Sequence, residues 1–378
     1  VLCLGHIITF QSLKIISSTK FMPTLYTAIT NHGFGHATRT AAVLADLQQR
    51  SPDIKLIIAT TAPRWLLEEY IAGDFIYHQR VFDVGVIQID SLVTDQEATF
   101  AAWQKIYEQQ ADLITEEVKF LQENKVDLIF GDIPPMLTEI AKAAKIPCWM
   151  AGNFGWDFIY RDWGGKYAEL ADRLSENYSH CDRLFRLPFA EPMTSFPNIQ
   201  DVGLTSAKPN HSPEYLRDKF NLDGDRPTAL LTFGGLSLQS IPYQNLAKFP
   251  DWQFITFDRG APDLPNLTKA NCDHLRPVDL MVVCDRVVTK PGYGTLAEAL
   301  RVGVPVVCLT REGFLEAETL IAGVKNYSEH LIISPQEFYE GDWSFLNATF
   351  LPPDLAEAKQ LDMHGEETIN QAILDYFA

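Results

Sequence analysis

The sequence predicts an α/β protein made of two mostly parallel, doubly wound units. Three observations predict it. Apolar runs of strand length alternate with longer helical patterns, and they do so in two separate series. A proline-rich stretch interrupts the alternation near the middle of the chain. In both halves glycines fall where a strand ends. A length of 378 residues agrees, because single cores usually stop growing below that size.

In order, the run TLYTAIT (24–30) predicts a strand, followed by a helix from about His36 to Arg50. IKLIIAT (54–60) is a second strand and 63–72 a helix. Two shorter strand candidates follow, and 96–123 reads as one long helix or two. VDLIFGD (126–132) leads into a helix after Pro134 and Pro135, and IPCWMAG (146–152) is the next strand. Between Pro188 and Pro213 five prolines and little periodicity predict a linker. Ser212 before Pro213 is a helix start, a capping residue followed by proline at the first helical position. The second series comprises TALLTFGG (228–235), WQFITFD (252–258), MVVCDRVVT (281–289) and VPVVCLT (304–310). The expected division is an N-terminal unit over 22–205, a C-terminal unit over 206–352, and a helical segment over 353–378 that reaches back across the first unit. Residues 1–21 read as an upstream extension that contributes little to the fold.

Composition excludes several function classes. With 31 basic against 49 acidic side chains the net charge is −18, which argues against a nucleic-acid footprint or attraction to anionic lipid. One pocket can still be locally positive. No apolar run approaches the length of a membrane span, although peripheral membrane contact stays open. The six cysteines form no CxxC pair and no zinc spacing, so free thiols in a reducing cytoplasm are expected.

The first chemical motif is NHGFGH (31–36). Gly33 and Gly35 bring backbone close to whatever lies in a cleft, or supply a positive φ. His36 falls at or near the first helical position, where the dipole favours a neutral imidazole, so it is a candidate general base. The bland alternative is a histidine that merely ends its own helix, and His32 reads as structural. Asp132 closes the VDLIFGD strand and faces the same crevice, where it can orient His36, as a carboxylate does in a Ser-His-Asp relay. Its alternative is to cap the helix beginning at Pro134. His32 and His36 are four apart, but the glycines between them break the helix that would align them on a metal.

The second is VVTKPGYGTLAEALRVGVPVV (287–307). Gly292 and Gly294 permit close backbone approach, Thr295 opens a helix, Glu298 follows three positions later, and Lys290 adds positive charge. Thr295 and Glu298 would also make a capping box that any helix might use. A diphosphate on the turn with a ribose at Glu298 explains the whole group together. TFGGLS repeats the arrangement more weakly, with Gly234 and Gly235 exposing N–H groups and Ser237 a hydroxyl.

These motifs resemble those of GT-B glycosyltransferases, the type of the peptidoglycan N-acetylglucosaminyltransferase. From about Pro23 to Trp343 the chain is similar to the N-terminal glycosyltransferase-like region of plant L-arabinokinase-type proteins, in NHGFGHATR, NFGWDFIY (153–160), YSHCDRLFRLP (178–188), FGG and KPGYGTLAEAL. The resemblance stops where the galactokinase-like domain of those proteins would begin. It implies two Rossmann-like domains facing a central cleft, a nucleotide-sugar donor on the C-terminal one and the acceptor on the other. By motif, His36 matches the base of inverting members, Gly292, Gly294 and Thr295 the diphosphate turn, and Glu298 the ribose-binding acid. No metal or other cofactor is implied. Relatives carry an Asp-Gln or Gln-Gln pair after the GVP strand to contact the donor sugar, whereas this chain has REGFLEAETL (311–320), which leaves Glu316 as the candidate sugar contact. Asn153, Trp156 and Asp157 are the candidate acceptor residues, with an aromatic core as the alternative.

The resulting expectation is an inverting, metal-independent transferase that moves a sugar from a nucleoside diphosphate sugar, a UDP-sugar, to a hydroxyl of a small molecule or glycan. The alternatives are a nucleotide-sugar epimerase of similar build and a non-catalytic nucleotide-sugar-binding or sensing module.

Overall fold

The computed structural model describes residues 22–89, 92–234, 238, 240–270, 274–354 and 360–378. The expected N-terminal extension over 1–21 lies outside them. The first series of strands is β1 (Thr24–Ile29), β2 (Lys55–Ala59), β3 (Ile76–His78), β4 (Leu128–Asp132), β5 (Cys148–Gly152), β6 (Arg183–Arg186) and β7 (Ile199–Asp201). They form one parallel sheet in the order β3-β2-β1-β4-β5-β6-β7. The second series is β8 (Thr228–Leu231), β9 (Gln253–Thr256), β10 (Leu267–Lys269), β11 (Arg286–Thr289), β12 (Val306–Leu309) and β13 (His330–Ile333). Its parallel sheet runs β10-β9-β8-β11-β12-β13. The two-domain Rossmann-like architecture expected from the alternation is therefore present.

Each sheet is covered on both faces, as parallel sheets require. Along β1, Leu25 and Ile29 enter one apolar cluster and Tyr26 and Ala28 another. Along β8, Leu230 faces one cluster and Ala229 and Leu231 a third. The first of these clusters runs through both units, joining Leu44 of the helix Gly35–Arg50 to Leu296 of the helix Tyr293–Val302.

Segment 96–123 is two helices, Gln96–Glu108 and Gln110–Glu123. The Ser212–Pro213 start is realised, with the Ser212 hydroxyl accepting from the Tyr215 N–H at 3.3 Å. The proline-rich stretch is not wholly linker, because β7 lies within it as an edge strand on β6. Three residues are too few to show a period, and an edge strand needs only one partner.

The helix Gly365–Phe377 packs on the helix Gly35–Arg50. Ile369 and Ile373 are fully buried, and the Asn370 amide donates to Val43 O at 2.9 Å. Arg301 of the second unit donates to the Glu366 carboxylate at 2.9 and 3.0 Å.

In an open parallel sheet the ligand crevice opens at the carboxyl ends of the strands, where the strand order reverses. The reversals lie between β1 and β4 in one sheet and between β8 and β11 in the other. His36 follows β1 and Asp132 ends β4, and the segments after β8 and β11 carry Gly234 and Lys290.

Candidate active site

The two reversals open onto one cavity of about 720 Å³. His36 sits at the second position of its helix and lines that cavity. Its Nδ1 lies 2.8 Å from Asp132 Oδ1. Arg39 Nη2 donates to the same Asp132 oxygen at 2.6 Å and lies 3.0 Å from His36 Nδ1. A carboxylate oxygen can only accept, so Nδ1 is the donor to Asp132.

Asp132 accepts two further bonds on Oδ2, from Arg39 Nε at 2.7 Å and from the Thr40 hydroxyl at 2.8 Å. Burial acts to raise this carboxyl, but the Arg39 charge, then His36, and their hydrogen bonds outweigh it and hold it below the usual carboxylate range. The helix-capping alternative fails. The next helix is Met136–Ala144, capped by Pro135 without any side-chain bond. Ile133, at φ +56°, turns the chain away behind Asp132.

Gly33 has φ +61°, the left-handed conformation that favours glycine. Gly35 does not, and a Cβ there would meet nothing within 4 Å, so the expectation that Gly35 needs special backbone is corrected. Its contact is with the other unit, since a Cβ on Gly294 would lie 3.6 Å from Gly35 O and 3.2 Å from Thr38 Oγ1. Gly294 thus permits the two units to close on each other. His32 stacks on Phe314 at 5.5 Å and places Nδ1 3.2 Å from both Val86 O and Val86 N. Burial, and then the charges of His36, Arg311 and Lys290, push its pKa well below the usual value.

On the facing wall, Gly292 caps the helix Tyr293–Val302, which opens two residues before Thr295. No side chain caps it, so the Thr295–Glu298 capping box does not form. Glu298 lies in the second turn, is 5% exposed and lines the cavity. Burial raises its pKa to about 8 against the opposing charge of Arg276. Tyr70 of the first unit reaches its Oε1 at 3.5 Å. Gly234 has φ +78°, and a Cβ there would lie 3.6 Å from Lys290 Cε. Burial, and then the Arg311 charge, lower Lys290 to about 8. Arg311 stacks over Phe314 at 4.0 Å and lines the same cavity. Gly235 and Ser237 lie outside the described residues.

The expected acceptor residues divide. Trp156 is fully buried, its indole N–H donating to the Thr30 hydroxyl at 2.9 Å, and it backs the His32 and His36 rings from within the core. Asp157 is turned away, accepting from Ser175 at 2.9 Å and Ser195 at 2.5 Å. Asn153 does not line the cavity; it joins Arg39 to Glu316 instead. Glu316 does line it, at the start of the helix Glu316–Tyr327.

Sequence reasoning missed Arg39 and Arg311. For Arg39 the signal was its place one turn beyond His36 on the same helix, and for Arg311 its place just beyond a strand end.

No family model matches the chain. It is 29% identical over 346 residues to L-arabinokinase of Arabidopsis thaliana, across 87% of this chain and 32% of that protein. The chain thus spans about a third of the length of this curated relative. Among solved structures, UGT89C1 of Arabidopsis thaliana complexed with UDP superposes with a TM-score of 0.62 and 13% identity, over 94% of this chain and all of that one. The glycosyltransferase SnogD from Streptomyces nogalater superposes with a TM-score of 0.53 and 16% identity, over 94% of this chain and 96% of that one. Among the described residues no helix is long and apolar enough to cross a membrane. With two parallel sheets whose strand-order reversals face one cleft, the chain has the GT-B fold of these glycosyltransferases.

Proposed function

We propose that the chain transfers a sugar from a nucleoside diphosphate sugar, a UDP-sugar, to a hydroxyl acceptor, with inversion and without a metal. The observation that carries this reading is that His36, backed by the buried Asp132, lines the same cavity as Lys290 and Arg311 of the second unit. His36 Nε2 takes the acceptor proton while the acceptor oxygen bonds to the anomeric carbon. The bond from that carbon to the diphosphate oxygen breaks, and the electron pair leaves with the diphosphate. Asp132 stabilises the imidazolium that forms. Lys290, Arg311 and the backbone N–H groups that open the helix Tyr293–Val302 take the diphosphate charge. Glu298 meets the ribose hydroxyls. UDP in the superposed UGT89C1 structure supports the choice of nucleotide.

The test is UDP binding by calorimetry followed by turnover of UDP-sugars with an acceptor panel. His36→Ala is expected to keep UDP affinity and lower turnover by about 10²-fold or more. A fully active His36→Ala enzyme refutes the mechanism.

A second reading, a nucleotide-sugar-sensing module, is favoured by the match to one third of a protein named for a kinase activity. It would show binding without turnover, indifferent to His36→Ala.

A further inference from the structure

The geometry points to Asn153 as a positioning residue that ties the donor-side carboxylate to the base. We propose that Glu316, Asn153, Arg39, Asp132 and His36 act as one hydrogen-bonded unit, which fixes the base only when the two domains are closed. The proposal rests on the reading of His36 and Glu316 given above.

The chain of contacts is continuous and buried. Asn153, 1% exposed, follows β5 in the first unit, and Glu316 follows β12 in the second. The Asn153 amide N–H donates to Glu316 Oε1 at 2.8 Å, while its carbonyl oxygen accepts from Arg39 Nη1 at 2.7 Å. The other two guanidinium nitrogens of Arg39 donate to the two oxygens of Asp132. Asp132 in turn accepts from His36 Nδ1. The second unit touches Arg39 once more, through the Tyr293 ring 5.0 Å from its guanidinium carbon.

A primary amide suits this place because it gives a donor and an acceptor at one position. Glu316 needs the donor and Arg39 the acceptor. The Arg39 fork is rigid and planar, so fixing Nη1 also fixes Nε and Nη2 against Asp132. Separation of the units would take Glu316 from Asn153 and Tyr293 from Arg39 together. Asp132 and His36 would lose the support that holds them. A sugar seated at Glu316 is thereby reported to the base across the same cavity.

Two readouts test this. The first needs no turnover: acylation of His36 by diethylpyrocarbonate, followed by mass spectrometry, with the exposed His364 as internal reference. Asn153→Ala and Glu316→Ala are each expected to raise the His36 rate several-fold relative to His364. The double variant should react no faster than the faster single, since either change alone breaks the unit. The second readout is kinetic. Asn153→Ala should lower kcat about 10-fold or more, with UDP affinity within about twofold of wild type.

An unchanged His36 rate in a folded Asn153→Ala protein overturns the proposal. So do two single effects that multiply in the double variant. If wild type transfers no sugar yet His36 responds as described, the functional reading has failed and this inference has not.

Discussion

Glu298→Gln isolates the most perturbed carboxyl facing the cavity. The ordinary value of 4.5 is raised to about 8, first by burial. The folded protein therefore binds a proton that the unfolded chain has released. The sign follows: the contribution is fully present below about pH 4.5 and is lost as pH rises through about 8. The rise, at about 1.36 kcal/mol per pH unit, bounds the full penalty at about 5 kcal/mol. Between pH 6 and pH 9 roughly 2–3 kcal/mol of it develops. Glutamine keeps the shape and does not ionise, so it escapes the penalty. For domains of this size each kcal/mol moves Tm by about 2–4 °C. Thermal melts of both proteins at pH 6 and pH 9 should show the Tm advantage of Glu298→Gln growing by roughly 5–10 °C. Parallel pH dependences would refute the argument that burial at Glu298 outweighs the nearby Arg276 charge.

Three further outcomes follow from the same geometry. Asp132→Asn removes the carboxylate paired with buried Arg39, and should destabilise by about 3–5 kcal/mol in urea unfolding as well as slowing turnover; an unchanged midpoint would contradict the ion pair. UDP affinity should fall as pH passes about 8, because Lys290 loses its proton there, and Lys290→Met should weaken UDP about 10-fold or more at pH 7; equal calorimetric affinities would remove Lys290 from the site. Gly33→Ala should cost about 1 kcal/mol or more, since φ +61° strains alanine, while Gly35→Ala should melt like wild type; identical melting of the two variants would be the contrary result.

The alternation of apolar runs with helical patterns made the two sheets legible, and strand-end motifs led to His36, Asp132, Lys290 and Glu298. These signals are local in sequence. What remained hidden depends on partners far away. Arg39 is buried because Asp132, 93 residues on, pairs with it, a partner that no local pattern announces. Asn153 was expected to meet a ligand, because nothing near it showed that Glu316 and Arg39 would take both ends of its amide. Asp157 faces Ser175 and Ser195, a choice made by tertiary packing on the far side of its helix. At Thr295 the spacing suited a cap, but Gly292 opened the helix earlier and left Glu298 in the second turn.

The helix Gly365–Phe377 bears on how the chain matures. Its Asn370 bonds to a carbonyl 327 positions earlier, and Ile369 and Ile373 cover the helix that carries His36. During synthesis the first domain emerges with that face bare and stays so while the whole second domain is made. Contacts of such separation are costly to close and slow folding. The first domain therefore reaches its finished packing only after this helix, made later than the whole second domain, has left the ribosome.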